Sequence, residues 1–319
     1  MGRFPEFVDW LHDRVETDRF LGKRIRLVIP LGTSERNAAL SNAEVYATFR
    51  FSSDEFRCCR MLKWLHLGLA GVDSALFPAF VRSRVLLTSS VGLHDDTVPD
   101  AAMGFILSFA TGLHDGYAQK NARKWDRREI VLKRRPLRGQ RLVVVGTGCI
   151  GQRIARLGKS HGMVVTGVRR SRPAQRLAGF DEVVSVRGLN RALETADHVV
   201  LAVPGGASTK HLIGAEQLRR MKPTAFLINI ARGSVVNERA LISALRSGQI
   251  AGAGLDVFEQ EPLPADHPFY RLPNVAMTPH TSGDTADYSY RAAELFLKNL
   301  RRYLRGQDLL NVVDKRRGY

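Results

Sequence analysis

Three glycines, Gly146, Gly148 and Gly151, stand in G-x-G-x-x-G spacing between an apolar run, residues 141–145, and a segment of helical periodicity, residues 152–161. In that setting each glycine has its own use. The first allows a tight turn, the second lets backbone approach a pyrophosphate, and the third lets helix and strand pack closely. Phosphates would meet the helix N-terminus, where free N–H groups and the dipole favour negative charge, with Cys149 and Ile150 in the turn beside them. A plain tight turn would use the same glycines. About 18 residues past Gly151, where a site built for NAD carries an acid for the ribose hydroxyls, this chain has Arg169, Arg170 and then Arg172. Guanidinium groups fork onto phosphate oxygens, whereas an Asp would repel them, so this strand end predicts NADPH as the preferred cofactor with NAD also possible. A solvated basic loop is the alternative reading.

These residues need a scaffold, and 319 residues are enough for two domains of ordinary size. Short apolar runs at residues 24–30, 43–49, 64–67 and 85–88 predict strands with helical stretches between them, an α/β unit. Thr97, Val98 and Pro99 read as a helix start, and the apolar positions Ile106, Leu107, Phe109 and Leu113 predict one long helix suited to linking two domains. After a basic, polar segment at residues 123–139, a new domain begins at the strand 141–145. Further strands are predicted at 163–168, 198–203, 224–230 and 252–257, alternating with helices as in a doubly wound parallel sheet. The last helix, residues 286–304, is amphipathic.

The hydrophobic share of 44% and the charged share of 25% are those of an ordinary globular protein, and no apolar run reaches the length of a membrane span. The N-terminal residues lack the pattern of a signal peptide, and the three cysteines, Cys58, Cys59 and Cys149, have neither metal-ligand nor redox-motif spacing. A cytoplasmic protein without a metal is expected. The net charge of +17 is spread along the chain. It fits a basic surface or attraction of an anionic ligand; a nucleic-acid role finds no accompanying motif.

Four further segments occur in a telling order: Asn229-Ile230-Ala231-Arg232-Gly233, Leu255-Asp256-Val257-Phe258, Glu261-Pro262-Leu263-Pro264 and Thr278-Pro279-His280. With the glycine turn, they make the chain resemble the D-isomer-specific 2-hydroxyacid dehydrogenases, from about Leu62 to the C-terminus. That family includes D-lactate, D-glycerate and phosphoglycerate dehydrogenases and the glyoxylate and hydroxypyruvate reductases. The resemblance implies that Arg232 binds the substrate carboxylate and carbonyl, that Glu261 orients His280, and that His280 shuttles the proton. The chemistry agrees, since a forked Arg suits a planar 2-keto acid and a carboxylate stabilises a protonated imidazole.

By the same resemblance, Ala70, Gly71 and Val72 form a loop whose backbone amides cradle the substrate carboxylate, although Gly68 and Leu69 depart from the family's usual residues there. Thr97, Pro204, Thr209 and Asp256 match positions lining the nicotinamide half of the cofactor, with Asp256 accepting from the carboxamide, and Val203 and Ala231 are placed beside the cofactor with them. Met103 stands where the family often has a Glu and receives no function.

The implied fold is α/β, two Rossmann-like domains, one flavodoxin-like and one a doubly wound parallel sheet, with a substrate cleft between them. The dinucleotide-binding domain is expected at residues 102–283, and a discontinuous substrate-binding domain at 1–101 plus 284–319. A homodimer acting on a small 2-keto or 2-hydroxy acid is expected. Two other uses of the fold stay open: a nicotinamide-sensing corepressor-like binding protein, and phosphite oxidation, for which the loop at residues 67–71 lacks a Lys.

Overall fold

The computed structural model describes residues 4–30, 32–171 and 175–318. They gather into two compact units, one of Met1–Leu93 with Thr285–Tyr319 and the other of His94–Asp284. The sequence reading set these boundaries at 101/102 and 283/284; the contacts keep the helix Thr97–Ala110 whole within the second unit.

The first unit holds a three-stranded parallel sheet in the order β1 (Val45–Thr48), β2 (Trp64–Leu67), β3 (Leu86–Ser89). The two faces of β2 bury different partners, as its period of two requires. Leu65 and Leu67 pack with Phe51, Phe80 and Leu87, while Trp64 packs with Val15, Leu21 and Leu297. Leu297 belongs to the C-terminal helix Tyr288–Leu304, so the ends of the chain, including the unforeseen helix Phe4–Glu16, share one core. Residues 24–30 form no strand. Burial alternates there and Ile25 and Leu27 pack on that core, but no neighbouring strand takes up their backbone groups, and Pro30 has no N–H to offer one.

The second unit is built on seven parallel strands: β4 (Arg141–Val145), β5 (Val164–Arg169), β6 (Glu182–Ser185), β7 (His198–Leu201), β8 (Phe226–Asn229), β9 (Gly252–Leu255) and β10 (Val275–Met277). Their order, β10-β9-β8-β7-β4-β5-β6, reverses direction between β4 and β7. That is the doubly wound order with its switch point at the end of β4. The near-continuous apolar strands follow from burial on both faces: Val143 and Val145 enter one core, Leu142 and Val144 the other. Met103, the departure noted above, lies in the second of these cores.

The long helix expected through Leu113 stops at Ala110 instead. Gly112 takes a left-handed φ of 73°, and a separate helix, Leu113–Asn121, starts beyond it. β6 and β10 were missed because each is a short strand whose main signal is its pairing with a neighbour. Among the described residues no helix is long and apolar enough to cross a membrane.

Two buried histidines tie the fold to pH. Burial pushes both His66 and His198 down to about 4, well below the 6.5 of a free imidazole. The unfolded chain therefore binds protons that the folded chain refuses, so stability is complete above pH 6.5 and is lost as pH falls toward 4. Each full shift is worth about 3 kcal/mol. Thermal unfolding followed from pH 7.5 to pH 4.5 should show a steep fall in Tm below pH 6.5. His198→Leu should make that fall about half as steep, and an unchanged slope would discount the histidine.

Candidate active site

The glycine turn leaves β4 at the switch point. Gly146 has φ 107° and donates its N–H to the Val168 carbonyl at 2.8 Å. A Cβ on it would lie 2.2 Å from the Ala202 carbonyl oxygen, and one on Gly151 would lie 1.9 Å from the carbonyl oxygen of Gly146, so neither position admits a side chain. Gly148 differs: a Cβ there would meet nothing within 4 Å. It is the N-cap of the helix Cys149–Ser160 and supplies no side-chain cap, which leaves the first amides of the helix, at Cys149 and Ile150, facing an open cradle. Crowding at the two outer glycines and space at the middle one fit a pyrophosphate on this turn.

Arg169 is the last residue of β5, half-buried and in register with Ser185, and Arg170 follows it, exposed. Arg172 lies outside the described residues. The loop after β7 carries Val203, whose Cγ1 is 3.1 Å from the position of a Cβ on Gly146, and Pro204, whose carbonyl accepts the Thr209 hydroxyl at 2.8 Å. Thr209 thus closes this loop on itself. Thr97 opens its helix with a 3.4 Å hydrogen bond to the Gly283 carbonyl.

The residues expected to do chemistry follow three neighbouring strand ends. β8 ends in buried Asn229, whose side chain accepts from the Ala231 N–H at 3.1 Å and donates to the Arg232 carbonyl at 3.0 Å. This staple holds residues 229–232 in a fixed turn. Arg232 is extended there and donates one N–H to the Ala231 carbonyl at 2.7 Å. Gly233 lies hard against the next loop, for a Cβ on it would be 1.9 Å from the Phe258 carbonyl carbon. The Phe258 N–H in turn donates to Glu261 Oε1 at 2.9 Å. Close backbone packing at Gly233 therefore sets the Arg232 turn beside the loop that aims Glu261.

Glu261 Oε2 lies 2.6 Å from His280 Nδ1. A carboxylate oxygen accepts, so Nδ1 carries the proton in this bond and Nε2 is the ring nitrogen left to exchange one. His280 has φ 53°, a region few side chains adopt, and is held in it by its N–H bond to the Asp256 carbonyl at 2.8 Å. The side chain of Asp256, buried at the end of β9, secures the same segment: Oδ1 accepts from the Thr278 hydroxyl at 2.7 Å and from the amides of Thr281 and Ser282 at 2.9 and 3.1 Å. Besides the cofactor carboxamide expected from the sequence, Asp256 also holds the turn around His280. Asn229 and Gly233 have no role in the expectation from sequence. A polar residue closing the buried apolar run Phe226-Leu227-Ile228 was the available signal for Asn229.

In the first unit, the loop after β2 carries Ala70, Gly71 and Val72. Among the described residues their three amides donate to no protein acceptor.

The chain is similar to known proteins in both sequence and fold. Residues 103–282 match the model of the D-isomer specific 2-hydroxyacid dehydrogenase NAD binding domain. A glyoxylate reductase of Korarchaeum cryptofilum is 36% identical over 252 residues, covering 77% of this chain and 74% of its own. An NADPH-dependent glyoxylate/hydroxypyruvate reductase of Sinorhizobium meliloti, solved with NADP and sulfate, superposes with a TM-score of 0.84 at 26% identity, covering 99% of this chain and 97% of that one. A D-isomer specific 2-hydroxyacid dehydrogenase of Xanthobacter autotrophicus Py2, solved with NADPH and MES, gives 0.75 at 32% identity over 86% of this chain and 85% of that one. A doubly wound sheet with a glycine-rich turn at its switch point is the architecture of a dinucleotide-binding unit. The chain belongs to the D-isomer-specific 2-hydroxyacid dehydrogenase family.

Proposed function

We propose that this protein reduces a small 2-keto acid of the glyoxylate or hydroxypyruvate type to the D-2-hydroxy acid, with NADPH preferred and NADH accepted less well. The observation that carries this reading is the 2.6 Å pair of His280 and Glu261, fixed in a left-handed turn and set beside the Arg232 turn by the Gly233 contact. In our reading Arg232 forks onto the carboxylate and carbonyl oxygens, and the unused amides of Ala70, Gly71 and Val72 hold the carboxylate. Residues 94–284 then serve as the dinucleotide-binding domain and the remainder as the substrate-binding domain. The nicotinamide, when bound, supplies the hydride that C2 accepts. Glu261 keeps Nδ1 of His280 occupied, so Nε2 delivers the proton to the carbonyl oxygen as it becomes a hydroxyl. Fixing both ends of so small an acid before reaction removes orientational entropy from the barrier.

Turnover of a panel of 2-keto acids with NADPH and NADH, read by loss of the reduced nicotinamide absorbance, tests the activity. No oxidation with any of them would overturn it.

Cofactor preference rests on Arg169 and Arg170, with Arg172 beside them in sequence. Each charge-assisted hydrogen bond to a 2'-phosphate is worth about 1.5–3 kcal/mol, so NADPH should bind about tenfold tighter or more. Arg169→Asp should move the preference toward NADH. Equal Kd values for the two cofactors in wild type at low salt, or an unchanged ratio in the variant, would refute the NADPH preference and leave the dehydrogenase reading intact.

The three cysteines, Cys58, Cys59 and Cys149, are free, which suits the cytoplasm. Trp125 is 96% exposed and lies on the same stretch of chain as exposed Leu113, Tyr117 and Leu132, apolar surface that a second copy would cover in a homodimer.

A further inference from the structure

The first unit contains a buried polar chain that no catalytic role accounts for. Trp64, His66, Thr88 and Ser90 are all essentially inaccessible, on or just past the central and edge strands β2 and β3. The Trp64 indole N–H, which can only donate, reaches Thr88 Oγ1 at 2.8 Å. Thr88 Oγ1 also lies 2.8 Å from His66 Nδ1, and we assign its single proton to this bond, with Nδ1 accepting. His66 is neutral because burial holds it down at about 4, and with that assignment its one proton sits on Nε2, which faces Ser90 Oγ at 3.5 Å. Ser90 Oγ donates onward to the Leu67 carbonyl at 3.3 Å. The chain ends on the carbonyl at the root of the loop bearing Ala70, Gly71 and Val72.

Two more bonds fix that root. The Ser90 N–H donates to the Leu69 carbonyl at 3.0 Å, and the Tyr288 hydroxyl donates to the Gly68 carbonyl at 2.8 Å. Three successive carbonyls, at 67, 68 and 69, are thus held by groups outside the loop. In a trans peptide C=O and N–H point opposite ways, so holding the Leu69 carbonyl against Ser90 turns the Ala70 N–H away from Ser90. The loop itself supplies no acceptor for the amides that follow.

We infer that Thr88, His66 and Ser90 are positioning residues for substrate binding: they fix the root of the loop so that the amides of Ala70, Gly71 and Val72 stand ready for the carboxylate. This rests on the proposed role of those amides. The effect is on substrate affinity, because carboxylate contacts present before and during reaction change KM more than kcat.

The test uses the full protein with glyoxylate as substrate, oxalate as an inert dicarboxylate inhibitor, and the variants Ser90→Ala, Thr88→Val and Thr88→Ser. Ser90→Ala and Thr88→Val should raise KM for glyoxylate and the inhibition constant of oxalate together, by about tenfold, with kcat and the Kd for NADPH within about threefold of wild type. Thr88→Ser, which keeps the hydroxyl, should restore KM. Imidazole ¹⁵N spectra of wild type should show His66 as the neutral tautomer protonated at Nε2, a readout that holds even where Thr88→Val fails to fold. Unchanged KM in Ser90→Ala and Thr88→Val beside an impaired Arg232→Lys would overturn the positioning role and leave the proposed function standing. A parallel drift of KM, kcat, NADPH affinity and Tm without rescue by Thr88→Ser would reduce the chain to a packing element, and an Nδ1-protonated His66 would break its direction. A wild type that neither reduces any 2-keto acid nor binds oxalate would remove the loop's function and this inference with it.

Discussion

His280→Gln should lower kcat by about 10²–10⁴ while the Kd for NADPH stays close to wild type, the range that general acid catalysis supplies. The ring nitrogen bound to Glu261 Oε2 at 2.6 Å is Nδ1, which leaves Nε2 for the substrate oxygen. Glutamine can keep a hydrogen bond in this region but its amide cannot give up a proton near neutral pH, so the loss isolates proton transfer from positioning. The backbone of His280 is anchored independently by the Asp256 carbonyl, and glutamine leaves that anchor in place. Burst and steady-state kinetics with saturating keto acid, beside a fluorescence titration with NADPH, make the measurement. A kcat within threefold of wild type would remove His280 from the chemistry, and a matching loss of NADPH binding would mean that the substitution had disturbed the turn at residues 278–282 instead.

Arg232→Lys keeps the charge and should still lower kcat/KM by about 10²-fold or more, because an ammonium acts as a point charge where the guanidinium presents a planar fork. The turn that carries residue 232 is held from outside its side chain, by the Asn229 amide on both flanking backbone groups and by the close contact of Gly233 with Phe258. The variant is therefore expected to fold with an unchanged Tm, and the loss reads as lost recognition. The effect should fall mainly on substrates with a carboxylate beside the carbonyl. An aldehyde lacking the carboxylate, poor in wild type, should be affected far less. An unchanged kcat/KM for glyoxylate would refute the assignment.

Much of this arrangement is written in short stretches of sequence. The turn Gly146 to Gly151, the apolar runs that became β4, β5, β7, β8 and β9, and the order of the Arg232, Glu261 and His280 segments are local patterns, each set by the period of a strand or helix or by the need for a glycine in a crowded place. Those patterns misled where a local signal had no partner. Residues 24–30 alternate like a strand and lack a ladder, and the apolar period running through Leu113 continues past the point where Gly112 ends the helix. β6 and β10 had the opposite problem, since their weak sequence signals are completed by pairing with β5 and β9.

The sequence by itself determined the fold class, the glycine-rich turn after β4 and the basic end of β5, because residue type and spacing along the chain decide these; the three groups proposed for the chemistry came from the resemblance. Only the tertiary structure decided how the groups are aimed. The 2.6 Å approach of Glu261 to His280 Nδ1, the grip of Asp256 on residues 278–282, the Gly233 contact with Phe258 and the hydrogen-bonded chain from Trp64 to Leu67 all join residues from different strand ends or adjacent strands. Hydrogen bonds of this kind depend on distance and direction to a few tenths of an ångström. Side-chain spacing along a sequence carries no such information; it arises when packed strands fix where their ends lie.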